Sequence, residues 1–109
     1  MTAKLTPVAP KDLAALMDQA RAILVDIREP DEFAQGHAKG ALSFPLSAFE
    51  HAHLTIEPGK DVVFTCKSGV RTNANCGRLA ERIDGEAFVL DGGLDAWCRA
   101  GLPTASGRD

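Results

Sequence analysis

The segment Cys66-Lys67-Ser68-Gly69-Val70-Arg71 opens with a thiol, closes with an arginine and has small residues between. The thiol is its strongest nucleophile, but only as the thiolate. A free cysteine ionises near about 8.5, so only a small fraction is charged at neutral pH. Chemistry at Cys66 therefore needs neighbours that favour the anion, and the segment supplies three. Successive amides of residues 67 to 71 can curl into a nest for an anion, with Gly69 able to take the positive φ such a curl needs. A helix starting directly afterwards aims its unpaired N–H groups and positive dipole end back at the sulfur. Arg71, with Lys67 at the entrance, adds full positive charge. Such surroundings bring cysteine into a range of about 3.5–7.5. The same groups hold any anion carried on the sulfur, whether a persulfide, a bound thiosulfate or a phosphoryl group. An inert strand-end cysteine has no use for them. The reading requires a sulfur reachable from water and amide hydrogens aimed at it.

The surrounding pattern shows what must position this segment. Asp61–Thr65 is an apolar, β-branched run that reads as a strand, and Thr72–Ile83 reads as a single helix with Cys76, Leu79, Ala80 and Ile83 in one stripe. Upstream, a helix from Pro10 precedes a strand at 22–27. An acidic short helix at 29–36 then precedes a brief strand at 41–44. Residues 47–54 are expected to be helical. Downstream, 87–91 reads as a strand and 94–100 as a helix stopped by Gly101 and Pro103. Strands alternating with helices imply a parallel sheet between helical layers, with the active site at the strands' carboxyl ends. Cys66 lies at one of those ends.

The 109 residues suit one domain, taken as 1–103, with 104–109 as a loose polar tail. Lys plus Arg number 12 against 15 Asp plus Glu, which gives no support to nucleic acid or an anionic membrane as partner. The start of the chain lacks an apolar signal region, and no run approaches the roughly 20 apolar residues a membrane helix needs. Three cysteines, Cys66, Cys76 and Cys98, cannot all pair with one another, and no Cys-x-x-Cys occurs. A reducing cytoplasm is the expected location.

Three stretches together resemble the single-domain rhodaneses, the thiosulfate sulfurtransferase superfamily. They are "VDIREPDEFAQGHAKGA", "FTCKSGVRT" and "LDGGLDAWCRAGLP", in that order along the chain. The resemblance implies a three-layer α/β sandwich with a mainly parallel five-stranded sheet and helices on both faces. It implies a catalytic Cys66 that carries sulfur as a persulfide, with Lys67, Ser68, Gly69, Val70 and Arg71 binding the anion. The expected partners are a small anionic sulfur donor and a thiol or protein dithiol acceptor, with no metal or organic cofactor. Rhodanese-like cell-cycle phosphatases carry Cys-x5-Arg, whereas this loop is Cys-x4-Arg, a smaller ring suited to one sulfur atom. Mercaptopyruvate-using relatives carry Cys-Gly-Ser-Gly-Val-Thr. This loop departs from that at Lys67 and Arg71, where cations favour a doubly charged donor such as thiosulfate.

Other residues receive structural readings. Cys76 is expected to be a small core residue rather than a second thiol for Cys66, and Cys98 to be packing or surface. The resemblance implies that Asp26 ties backbone together and that Arg28 pairs with acids such as Glu32. His37 reads as a hydrogen-bonded loop residue, because persulfide transfer needs no base once the thiolate exists. His51 and His53 read as surface, and Trp97 as a core anchor.

Overall fold

Three runs of this chain are apolar at every position rather than at alternate ones: 22–25, 62–64 and 87–90. Side chains of a strand alternate between the two faces of a sheet, so such runs fold only where both faces are covered. The computed structural model describes residues 5–49, 58–83 and 86–107, and it meets this demand. Its elements in order are β1 (Thr6–Val8), α1 (Pro10–Asp18), β2 (Ala22–Asp26), α2 (Pro30–Gln35), β3 (His37–Ala38) and β4 (Leu42–Ser43). A 3-10 turn at Leu46–Ala48 precedes β5 (Asp61–Thr65), α3 (Val70–Ala74) and α4 (Cys76–Ala80). β6 (Ala87–Leu90), α5 (Gly93–Arg99) and β7 (Thr104–Ala105) complete the described chain.

Five strands form one sheet in the order β1-β6-β5-β2-β4, with every neighbouring pair parallel. Alternation then sorts the core into two layers. Val25, Val62, Phe64, Ala87 and Val89 face one way and pack with Phe49, Leu79 and the partly buried Cys76, Ala80 and Ile83. Leu24, Val63 and Leu90 face the other way and pack with Leu13, Phe33 and Trp97 from α1, α2 and α5. The result is a three-layer α/β sandwich. β5 runs through its centre, so the residue after Thr65 is delivered to the middle of the sheet's carboxyl edge.

Four features differ from what the sequence suggests. The helix expected over Thr72–Ile83 is two short ones, broken at Asn75 with φ −119°. The Asn75 side chain donates to the carbonyl of Arg71 at 2.8 Å, the kind of local bond by which asparagine competes with helix. The stripe of Cys76, Leu79, Ala80 and Ile83 nevertheless faces the core, so the break leaves the buried face intact. Second, the segment after Pro103 is not loose throughout. Thr104–Ala105 pairs antiparallel with β3, and the Gly107 amide donates to the Ala34 carbonyl at 2.7 Å. Third, Ser47 and Ala48 lie in a 3-10 turn rather than an α-helix, while residues 50–54 of that expected helix, with His51 and His53, lie outside the described residues. Fourth, Arg28 pairs with Asp26 rather than Glu32. Its Nη2 donates to Asp26 Oδ2 at 2.8 Å and to the Gly36 carbonyl at 2.7 Å, with both side chains buried. A carboxylate two residues away, already buried at the end of β2, satisfies the arginine more completely than one on the half-exposed α2.

Candidate functional site

Cys66 follows the last residue of β5, and its carbonyl is held from two sides. Thr65 Oγ1 and the Leu94 amide both donate to it at 2.9 Å. The Asp95 amide donates to the Lys67 carbonyl, also at 2.9 Å. The start of α5 thus fastens both carbonyls. A trans peptide sets its N–H opposite its C=O, so the amides of Lys67 and Ser68 must point away from α5. This close approach requires Gly93, at φ 63°, where a Cβ would lie 2.7 Å from both carbonyl oxygens; Gly92, at φ 77°, turns the chain into α5, and a Cβ there would lie 2.6 Å from the Ala96 Cβ. The glycine pair belongs to the site as much as the loop does. The sequence shows the pair only as part of a resemblance, because the contact of Gly93 is with the backbone of Lys67, 26 residues away.

The loop then turns at Gly69, which takes the left-handed φ of 100° that its lack of a side chain permits. In this conformation the Gly69 amide donates to Cys66 Sγ at 3.1 Å. Thr72, fully buried, donates through Oγ1 to the Gly69 carbonyl at 2.9 Å and sits 3.8 Å from Cys66 Sγ. Thr72 was not singled out from the sequence, although a hydroxyl one turn into the helix beside the loop was the signal available. It locks the glycine turn. Thr72→Val keeps the shape but leaves that carbonyl with the Asn73 amide, at 3.0 Å, as its one remaining donor, at a cost of about 1 kcal/mol. Urea denaturation of Thr72→Val beside Thr72→Ser, which restores the hydroxyl, checks this.

The two cations occupy less direct positions than expected. Arg71 forms a two-pronged ion pair with Glu32, Nη1 to Oε1 and Nη2 to Oε2, both at 2.8 Å. Lys67 Nζ reaches Asp95 Oδ1 at 3.0 Å on the exposed rim. The hydrogen bonds from Arg71 hold the Glu32 carboxyl below the usual carboxylate range, against a smaller opposing effect of burial. The same pair raises the Arg71 guanidinium, with Cys66 a lesser contributor. Because the folded pKa of Glu32 lies below its unfolded value, its stabilising contribution is complete above about 4.3 and is lost as pH falls through the folded pKa. Denaturation midpoints between pH 7 and pH 3 are expected to fall at the acid end, and less steeply in Glu32→Gln.

Of the two conditions the chemistry sets, an amide hydrogen aimed at the sulfur is met at Gly69, but a sulfur reachable from water is not, since Cys66 is 1% exposed. Lys67, Ser68 and Val70 of the loop are exposed, Val70 to 71%, while Gly69 is buried over the sulfur. Cys76 packs partly buried against the core and Cys98 is exposed, and both thiols are free. His37 is fully buried, its Nδ1 2.7 Å from the Phe33 carbonyl and its ring stacked on Phe33, which fits a structural role. Trp97 is a buried anchor whose Nε1 donates to the Pro103 carbonyl. Among the described residues no group of three or more His, Cys, Asp or Glu is placed to hold a metal ion. Nor is any helix among them long and apolar enough to cross a membrane.

Comparison with known proteins bears on the family and the fold. A sulfurtransferase of Allochromatium vinosum is 40% identical over 88 residues, covering 81% of this chain and 82% of that protein. The Synechocystis protein slr1261 is 39% identical over 102 residues, 94% of this chain but 57% of its own length. The crystal structure of a Pseudomonas aeruginosa thiosulfate sulfurtransferase superposes with a TM-score of 0.85 at 25% identity. It covers all of this chain and 21% of that one, so the chain spans only part of some of its relatives. Residues 9–100 match the rhodanese family, described as the rhodanese-like domain. With that match over most of its length and sulfurtransferases among its relatives, the chain belongs to the rhodanese-like domain family.

Proposed function

We propose that this chain transfers sulfane sulfur, the outer and more electrophilic sulfur of its donor, through a persulfide on Cys66. In the first step the thiolate attacks that sulfur in a donor such as thiosulfate. The donor's S–S bond breaks, and sulfite leaves with the electron pair. In the second step an acceptor thiolate, a protein dithiol or cyanide attacks the terminal sulfur, and Cys66 leaves as the thiolate. This is covalent catalysis in ping-pong order. The observation that carries the reading is the Gly69 amide aimed at Cys66 Sγ at 3.1 Å from a left-handed glycine. Such a preorganised donor favours negative charge on the sulfur both before loading and when it leaves. The five-residue step from Cys66 to Arg71 supports a ring sized for sulfur rather than for a phosphoryl group.

The burial of Cys66 favours a second reading, a sulfur carrier or regulatory module of the same fold with little turnover of its own. Intact mass after incubation with thiosulfate or another sulfane donor tests the first step, and a gain of one sulfur atom is expected. An unchanged mass with every donor overturns the proposal. Steady-state thiocyanate formation from thiosulfate and cyanide then separates the two readings, since a carrier loads once and stalls.

A further inference from the structure

Both cations of the loop are already answered by carboxylates. Arg71 is paired with Glu32 through both of its terminal nitrogens, and Lys67 is paired with Asp95. The four side chains sum to zero charge, and the Cys66 thiolate adds a negative one. Thiosulfate brings two more. Its sulfonate oxygens also need a guanidinium edge, yet the fork of Arg71 that would grip them is filled by Glu32 Oε1 and Oε2. Beside the loop runs a groove of about 340 Å³, lined by Leu5, Pro7, Ser68, Gly69, Asn73 and Asp91. It is larger than a small inorganic anion requires, takes some carbon surface from Leu5, Pro7 and Val89 within a mostly polar lining, and carries a further acid in Asp91.

From these features, and resting on the sulfurtransferase reading above, we infer that Glu32 and Asp95 are specificity-determining residues that turn the site away from a dianion and toward an organic persulfide. The reaction balances without any further reagent. Cys66 thiolate attacks the outer sulfur of R–S–SH, the bond between its two sulfurs breaks, and R–S⁻ leaves with the electron pair. The proton passes from the new Cys66 persulfide to the departing thiolate, giving R–SH. The reacting S–SH end of this donor, unlike that of thiosulfate, has no oxygens to be held, so the occupied arginine costs the transfer little, and the carbon group has the groove to lie in.

The test compares kcat/KM for thiosulfate and for cysteine hydropersulfide, with sulfur on Cys66 followed by mass. The wild type is expected to favour the hydropersulfide. Glu32→Gln keeps a side-chain oxygen that can accept from Arg71 and from the Glu29 amide while removing the charge. It should move the ratio toward thiosulfate by about five- to tenfold. Asp95→Asn, on the exposed rim, should move it the same way by about twofold. A wild type that favours thiosulfate overturns the inference, as does a ratio that neither variant moves. If Glu32→Gln fails to fold, Asp95→Asn alone decides the matter. Loss of stability by itself lowers both donors together and leaves the ratio where it was. Absence of sulfur on Cys66 with either donor would instead overturn the sulfurtransferase reading, so the two failures are distinct.

Discussion

Cys66→Ser is expected to eliminate sulfur loading and to lower thiosulfate:cyanide turnover by at least about 10³-fold. The serine hydroxyl occupies the same place but is not ionised near neutral pH, and oxygen cannot carry sulfur as a persulfide does. Folding should change little, because the position sits at a strand end whose backbone bonds, from Thr65 Oγ1 and Leu94, do not involve the side chain. Cys76→Ser and Cys98→Ser serve as controls. Cys98 is exposed, so its replacement should leave both mass gain and turnover in place. Cys76 contacts the core, so its replacement should lower stability modestly without blocking the mass gain. Turnover that survives in Cys66→Ser would remove the basis for the persulfide scheme.

Gly93→Ala should damage the protein twice over. The added Cβ would lie 2.7 Å from the carbonyl oxygens of both Cys66 and Lys67, and those oxygens belong to backbone that has no rotamer to escape into. The residue also sits at φ 63°, where alanine is strained whatever the space. Overpacking and left-handed strain together predict a loss of about 2–4 kcal/mol. Relief can come only by moving α5 away from the loop, which weakens the bonds from Leu94 and Asp95 and lets the amides of Lys67 and Ser68 reorient. A misplacement of about 1 Å at a reacting centre costs roughly 10²-fold in rate, so activity should fall by about that factor even in the folded fraction. Thermal denaturation and single-turnover sulfur loading measure the two effects separately. A variant that loads sulfur at the wild-type rate would show that α5 does not set the loop.

The layered fold was legible because its three central strands carry runs that are apolar at every position, and only a sheet covered on both faces accounts for 62–64 and 87–90 together. The position of Cys66 followed from the same pattern, since a parallel sheet gathers its loops at one edge. Long-range partnerships were less visible. Glu32 lies 39 residues from Arg71, and nothing in composition or spacing says that the acid on α2 meets that arginine rather than Arg28. The pairing of Arg71 with Glu32 was not foreseen for this reason. Short strands were hard to see for a different one: β1 is only three residues with Pro7 at its centre, and β3 and β7 are two residues each. Segments of that length have no periodicity to read. The break at Asn75 was hidden by the apolar stripe, which continues across it and so looks like one helix.

The way α5 grasps the carbonyls of Cys66 and Lys67 has a further consequence. The helix rests, through Trp97, on the layer of the sheet opposite to α4, so the reactive loop takes its footing from both sides of the sheet. Mutational searches for altered sulfur-transfer rates should therefore not stop at the residues ringing the thiol. A shaved or enlarged side chain under Trp97, far from any substrate, tilts the platform on which the nucleophile stands.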